Sequence, residues 1–181
     1  MRIAYIAAVT IIVLVTSACA HQTAAGPTFE AFRGQPVSIE MVDRGGLFTA
    51  SPDIVAAAKQ AVERQLIASA ITVADGSDRT MQFDIEQGQG SDSPNKPCVR
   101  VTARLPQAKK MSLSTGELDF QRCAGGGSLS EMGQTLANAI YATMQGSNSL
   151  AREPKTERVE ARVFAEALGE VLAKIDAASQ K

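Results

Sequence analysis

Asp84 and Glu86, and again Glu117 and Asp119, stand two residues apart in runs that alternate polar with apolar side chains. That spacing puts each pair on one face of a strand. Paired carboxylates do acid–base work when their surroundings push their pKa values apart, so a carboxylate-dependent hydrolase would be built from these four. On the wet face of an antiparallel sheet they need only be solvated, and that plainer role is expected of them. Nucleophilic catalysis has little to draw on. The only histidine is His21, near the N-terminus, so Ser–His and Cys–His systems lack their usual base and zinc lacks its commonest nitrogen ligand. Gly125-Gly126-Gly127-Ser128 ahead of a helix offers free amides to an anion. Without the Lys of a phosphate loop it reads as a flexible connection. No enzymatic activity, cofactor or metal is expected.

The elements that must carry these groups follow from periodicity. Val37, Ile39 and Met41 alternate with Ser38, Glu40 and Val42 as a first strand, which ends at Asp43-Arg44-Gly45-Gly46. Ser51 as N-cap and Pro52 in the first turn open a helix to about Ser69, with Val55, Ala58, Val62 and Leu66 on its buried face. Ile71 and Val73 form a short strand that turns back at Asp75-Gly76. Met81, Phe83 and Ile85 make the clearest strand, and a loop over 88–96 follows. Val99, Val101, Ala103 and Leu105, then Leu118 and Phe120, make a hairpin with a long tip. Ser128 and Glu131 form a capping box for a second helix striped by Leu129, Met132, Leu136, Ile140 and Met144. Pro154 opens a third helix whose apolar face comprises Val159, Val163, Phe164, Leu168, Val171, Leu172 and Ile175. That face either completes the core or meets a partner. The order predicts an α+β two-layer domain over 37–181: an antiparallel sheet of about four to five strands covered by helices, with a long C-terminal helix over about 154–178.

Arg2 is the only charge before an apolar run that ends at Val15, after which Ser17 and Ala18 precede Cys19. A positive start, an apolar middle and a small-residue exit make a secretory signal over 1–18. The run is short for a membrane span, which needs about 20 apolar residues. Thr16-Ser17-Ala18-Cys19, with Thr where Leu is usual, resembles the lipobox of bacterial lipoproteins. The resemblance implies cleavage before Cys19, lipidation of its thiol and amine with diacylglycerol and a fatty acid such as palmitate, and, with Ala20 rather than Asp following, sorting to the outer membrane. The alternative is an ordinary cleaved signal in which Cys19 follows Ala18 by chance. Residues 19–36 then read as the lipidated Cys and a flexible tether.

Export would expose Cys98 and Cys123 to an oxidising compartment, and a disulfide between them is expected, two free thiols being the alternative. Register supports the bridge. If Cys98 opposes Cys123, Val101 faces Phe120 and Ala103 faces Leu118, so the apolar residues share one face. Ser93-Pro94-Asn95-Lys96 matches the Ser-x-x-Lys spacing of penicillin-interacting enzymes, but in a Pro-rich loop and without Lys-Thr-Gly. A balanced charge of −1, from 18 basic and 19 acidic residues, excludes a nucleic-acid footprint. Aromatic content of 4% with no Trp leaves little for stacking platforms. The order of elements resembles small α/β domains of envelope lipoproteins that assist secretion or surface-structure assembly. The expected function is a non-enzymatic interaction or assembly subunit on the periplasmic face of the outer membrane. It would hold the membrane through its lipid and bind an envelope protein or a second copy of itself. A carrier of a small apolar or lipid ligand is the alternative.

Overall fold

Apolar residues at every second position build a four-stranded sheet, β1 (Ser38–Asp43), β2 (Thr80–Gln87), β3 (Cys98–Arg104) and β4 (Glu117–Cys123), in spatial order β1-β2-β3-β4. The structure is a computed structural model and describes residues 26–49, 51–89, 96–146, 150 and 155–181. Residues 1–18, expected to be a signal, and Cys19, His21, Ser93-Pro94-Asn95 and Pro154 lie outside the described residues. β3 pairs antiparallel with β2 and β4, in the expected register: Val101 opposes Phe120 and Ala103 opposes Leu118. Cys98 opposes Cys123, and their sulfurs lie at disulfide distance.

The sheet is mixed, not wholly antiparallel, because β1 and β2 run parallel. The cause is the connection between them, which contains helix α1 (Pro52–Ala68) and carries the chain back to the end where β1 began. The strand expected at Ile71 and Val73 shrinks to one bridge, Val37 to Val73. Ile71 turns into the core, and the chain leaves the edge at the expected Asp75-Gly76 turn, where Gly76 has φ +76°.

Helix α1 packs on β1, and α3 (Lys155–Ser179) packs across β3 and β4. Helix α2 (Glu131–Gly146) lies chiefly against α3 and α1. α3 is therefore covered on two sides, and a helix covered in this way must be apolar nearly all round. Phe164, Leu168, Val171, Leu172 and Ile175 are fully buried, and so are the small residues Ala161, Ala165 and Gly169 at spacing four. At Gly169 an added Cβ would stand 2.6 Å from Gly133 O and Ala137 N, so the two helix backbones touch there.

Two helix starts differ from expectation. α2 is capped by Ser130, not Ser128: Ser130 Oγ accepts the Gly133 N–H at 3.0 Å, and Glu170 of α3 accepts the Ser130 N–H and hydroxyl at 3.0 and 2.9 Å. A carboxylate from the neighbouring helix fills the place expected of Glu131. Ser51 precedes α1 as expected, but its hydroxyl donates to Glu157 instead of bonding the α1 amides.

The domain also begins earlier than residue 37. Phe29 and Phe32, expected within the tether, are fully buried, Phe29 just before and Phe32 at the end of a 3-10 turn over Glu30–Phe32. Asp176 of α3, 1% exposed, holds them there: its Oδ1 accepts the N–H groups of Thr28 and Phe29 at 2.5 and 2.6 Å. Gln180 donates to Oδ2 at 2.6 Å. A buried carboxylate is tolerated where backbone amides replace its water.

Candidate functional site

The helices cover one face of the sheet and leave the other open, and the four expected carboxylates lie on the open face. There Asp84 and Thr102 are paired, next to Asp119, while Arg104 stands opposite Glu117. Asp84 is not solvated as expected, being 2% exposed. Arg44 Nε and Gln82 Nε2 donate to its Oδ1 at 2.9 and 2.8 Å, and Arg104 Nη1 to its Oδ2 at 2.9 Å. Burial alone would raise the Asp84 pKa. The hydrogen bonds from Arg44 and Gln82, with the charges of Arg104 and Arg44, outweigh burial and hold it below the usual carboxylate range. Arg104 is shared with Glu117 at 2.9 Å. This network ties β2 to β3 and to the end of β1 and favours the ionised form of its central carboxylate.

A recess lies at the outer edge of the sheet. β1 is an edge strand, and its backbone alternates between β2 and the outside. Ser38 and Arg44 send their N–H groups to Arg79 and Ile85 on the β2 side, at 3.0 and 2.9 Å. Val37 faces outward, bonding Thr72 O and the Ala74 N–H at 2.9 Å each. By the same alternation Ile39, Met41 and Asp43 turn their N–H and C=O groups outward. Among the described residues, no backbone group pairs with those of Ile39 and Met41 on that side.

Above this edge α1 forms a roof. Its core face is centred on Ile54, Ala58, Val62 and Leu66; Ala58, Val62 and Leu66 are buried as expected, while Ile54 takes the place expected of Val55, which is left half-buried beside the edge. Pro52, Val55, Ala56 and Lys59, spaced as one helical face, line a groove of about 530 Å³ with Ile39, Met41, Phe48 and Thr49. The end of the groove is fixed by Asp43, whose carboxylate accepts the N–H groups of Leu47 and Phe48 at 3.0 and 2.8 Å. Phe48 is held further by the ring of Phe164, centroids 5.2 Å apart. At the other end Lys59 Nζ is 3.6 Å from Glu63 and 3.8 Å from Asp75.

The C-terminal helix face, expected either to complete the core or to meet a partner, is internal. Val163, Phe164, Leu168, Val171, Leu172 and Ile175 are at most 2% exposed and Val159 packs against the same core. The physical reason is the double cover of sheet and α2. The Gly125-Gly126-Gly127-Ser128 run offers no helix terminus to an anion, since α2 begins at Glu131 and Glu170 already occupies its first free amide. Among the described residues no three His, Cys, Asp or Glu are grouped to hold a metal, and no helix is long and apolar enough to cross a membrane. Sequence reasoning missed the groove; its one sequence signal is Val55, an apolar residue just beyond the core stripe. No protein-family model, curated protein or solved structure matches the chain.

Proposed function

We propose that this chain is a non-enzymatic interaction or assembly subunit of the bacterial cell envelope, lipid-anchored at the outer membrane through Cys19 and facing the periplasm. The observation that carries the interaction reading is the groove along the β1 edge, where no described backbone group pairs with the outward groups of Ile39 and Met41, on a domain whose described buried side-chain polar atoms all have partners. The anchor reading is supported by Thr16-Ser17-Ala18-Cys19 behind its apolar run. Between Cys19 and Thr28 the chain can span at most about 30 Å. The Asp176 latch would therefore hold the domain close to the bilayer, with the C-terminal end of α3 nearest the tether. Occupation of both Asp84 oxygens speaks against a hydrolase built on that carboxylate.

The test of the anchor is Cys19→Ser in cells fed a clickable palmitate analogue. Loss of label together with release from the membrane fraction is expected. A Cys19→Ser protein that still takes up label and sediments with membranes would contradict the anchor.

A further inference from the structure

We propose that the β1 edge takes an extended peptide of a partner protein as a fifth strand, four to five residues long, with apolar side chains at alternate positions. The proposal rests on the interaction reading above and gives it a site and a ligand class. Three observations converge on an extended chain. First, the outward N–H and C=O groups of Ile39 and Met41 form a donor–acceptor ladder, and such a ladder is met by another strand. Second, the same edge already carries a strand: Thr72 to Ala74 pair with Val37 and then leave at Asp75-Gly76, so the free stretch begins where the chain's own segment ends. Third, a strand placed about 4.8 Å outside β1 would run beneath the Pro52, Val55 and Ala56 face of α1, with every second side chain turned into the groove.

The roof also selects among occupants. A second copy joining edge to edge would bring its own overhanging α1 over the same strip, so the two helices would compete for the space above the new strand pair. A lone strand has no such obstruction. Ile39, Met41, Phe48, Pro52, Val55 and Ala56 make the groove chiefly apolar, although Glu40, Asp43 and Lys59 also line it, so apolar side chains are favoured at the inward positions, while the outward positions face the open side of the sheet and tolerate polar residues.

The test uses the full lipidated chain in nanodiscs and a phage-displayed library of random heptapeptides, followed by the best enriched peptide made synthetically. Enriched sequences should alternate apolar and polar residues. The bound peptide should slow amide hydrogen exchange at Ile39 and Met41 while leaving Glu40 and Val42, already bonded to β2, unchanged. Two variants test the two halves of the site. Met41→Pro removes an outward donor without breaking a β1–β2 hydrogen bond, and Val55→Glu puts a charge under the roof; each should weaken binding at least tenfold, with circular dichroism verifying the fold. Binders that tolerate both variants, enrichment without alternation, or protection elsewhere would overturn the proposal. So would a dimer in sedimentation that Met41→Pro abolishes, which would assign the edge to a second copy. A partner crosslinked in cells through another face would leave the interaction reading standing and remove only this site.

Discussion

Asp84 and Asp176 are two buried carboxylates used in different ways. Asp84 has its pKa held below the ordinary value, so the stability it contributes is fully present above about pH 4, where an unfolded Asp is ionised. That contribution is lost as pH falls through the lower folded-state pKa. Asp84→Asn should lower stability by about 1–3 kcal/mol at pH 7. The gap between variant and parent should close toward pH 2, as read by urea midpoints at both pH values. Asp176→Ala should cost a similar amount, about 1–3 kcal/mol, and exchange of the Thr28 and Phe29 amides should speed by far more than that of the β2 amides. The sequence placed Asp84 on the correct face. Its burial was not legible, because Arg44 and Arg104 reach it from other elements and only the folded register brings them together. Phe29 and Phe32 could have been read: two large apolar residues at helical spacing are poor tether material.

Among the elements, the α2–α3 contact carries the tightest packing. Gly169→Ala pushes a methyl into fixed backbone, and it should destabilise by about 1–3 kcal/mol or more. Gly127→Ala meets nothing within 4 Å and should be neutral or slightly stabilising, so thermal melts of the two variants form a direct comparison. The spacing of Ala161, Ala165, Gly169 and Ala173 announced this second packed face of α3. The larger Phe164 and Leu168 beside it dominate the apolar pattern and mask that signal. For α1 the periodicity gave the helix and three of its four core positions, Ala58, Val62 and Leu66; in the first turn Ile54 is buried in place of Val55, which lies over the groove. The hairpin register was legible because Cys98 and Cys123 pinned an alternation that already agreed on both strands.

For the whole molecule, the disulfide closes a span of 25 residues, worth roughly 3–4 kcal/mol in the chain-entropy model. Cys98→Ser should lower the unfolding midpoint accordingly and leave palmitate labelling unchanged. The α+β class and the C-terminal helix were legible from element order; the parallel β1–β2 pair was not, because Ile71 and Val73 imitate a strand that would have reversed the chain. The groove depends on that topology, since an antiparallel neighbour beyond β1 would have covered the edge. The proposed function is binding of an envelope protein by a lipid-anchored domain. It is tested most directly by placing a photocrosslinking amino acid at position 56 in intact cells, followed by mass spectrometry of the adduct. One defined envelope protein, lost when Val55→Glu is added, is the predicted result; irradiation that yields only uncrosslinked monomer from membranes would contradict it.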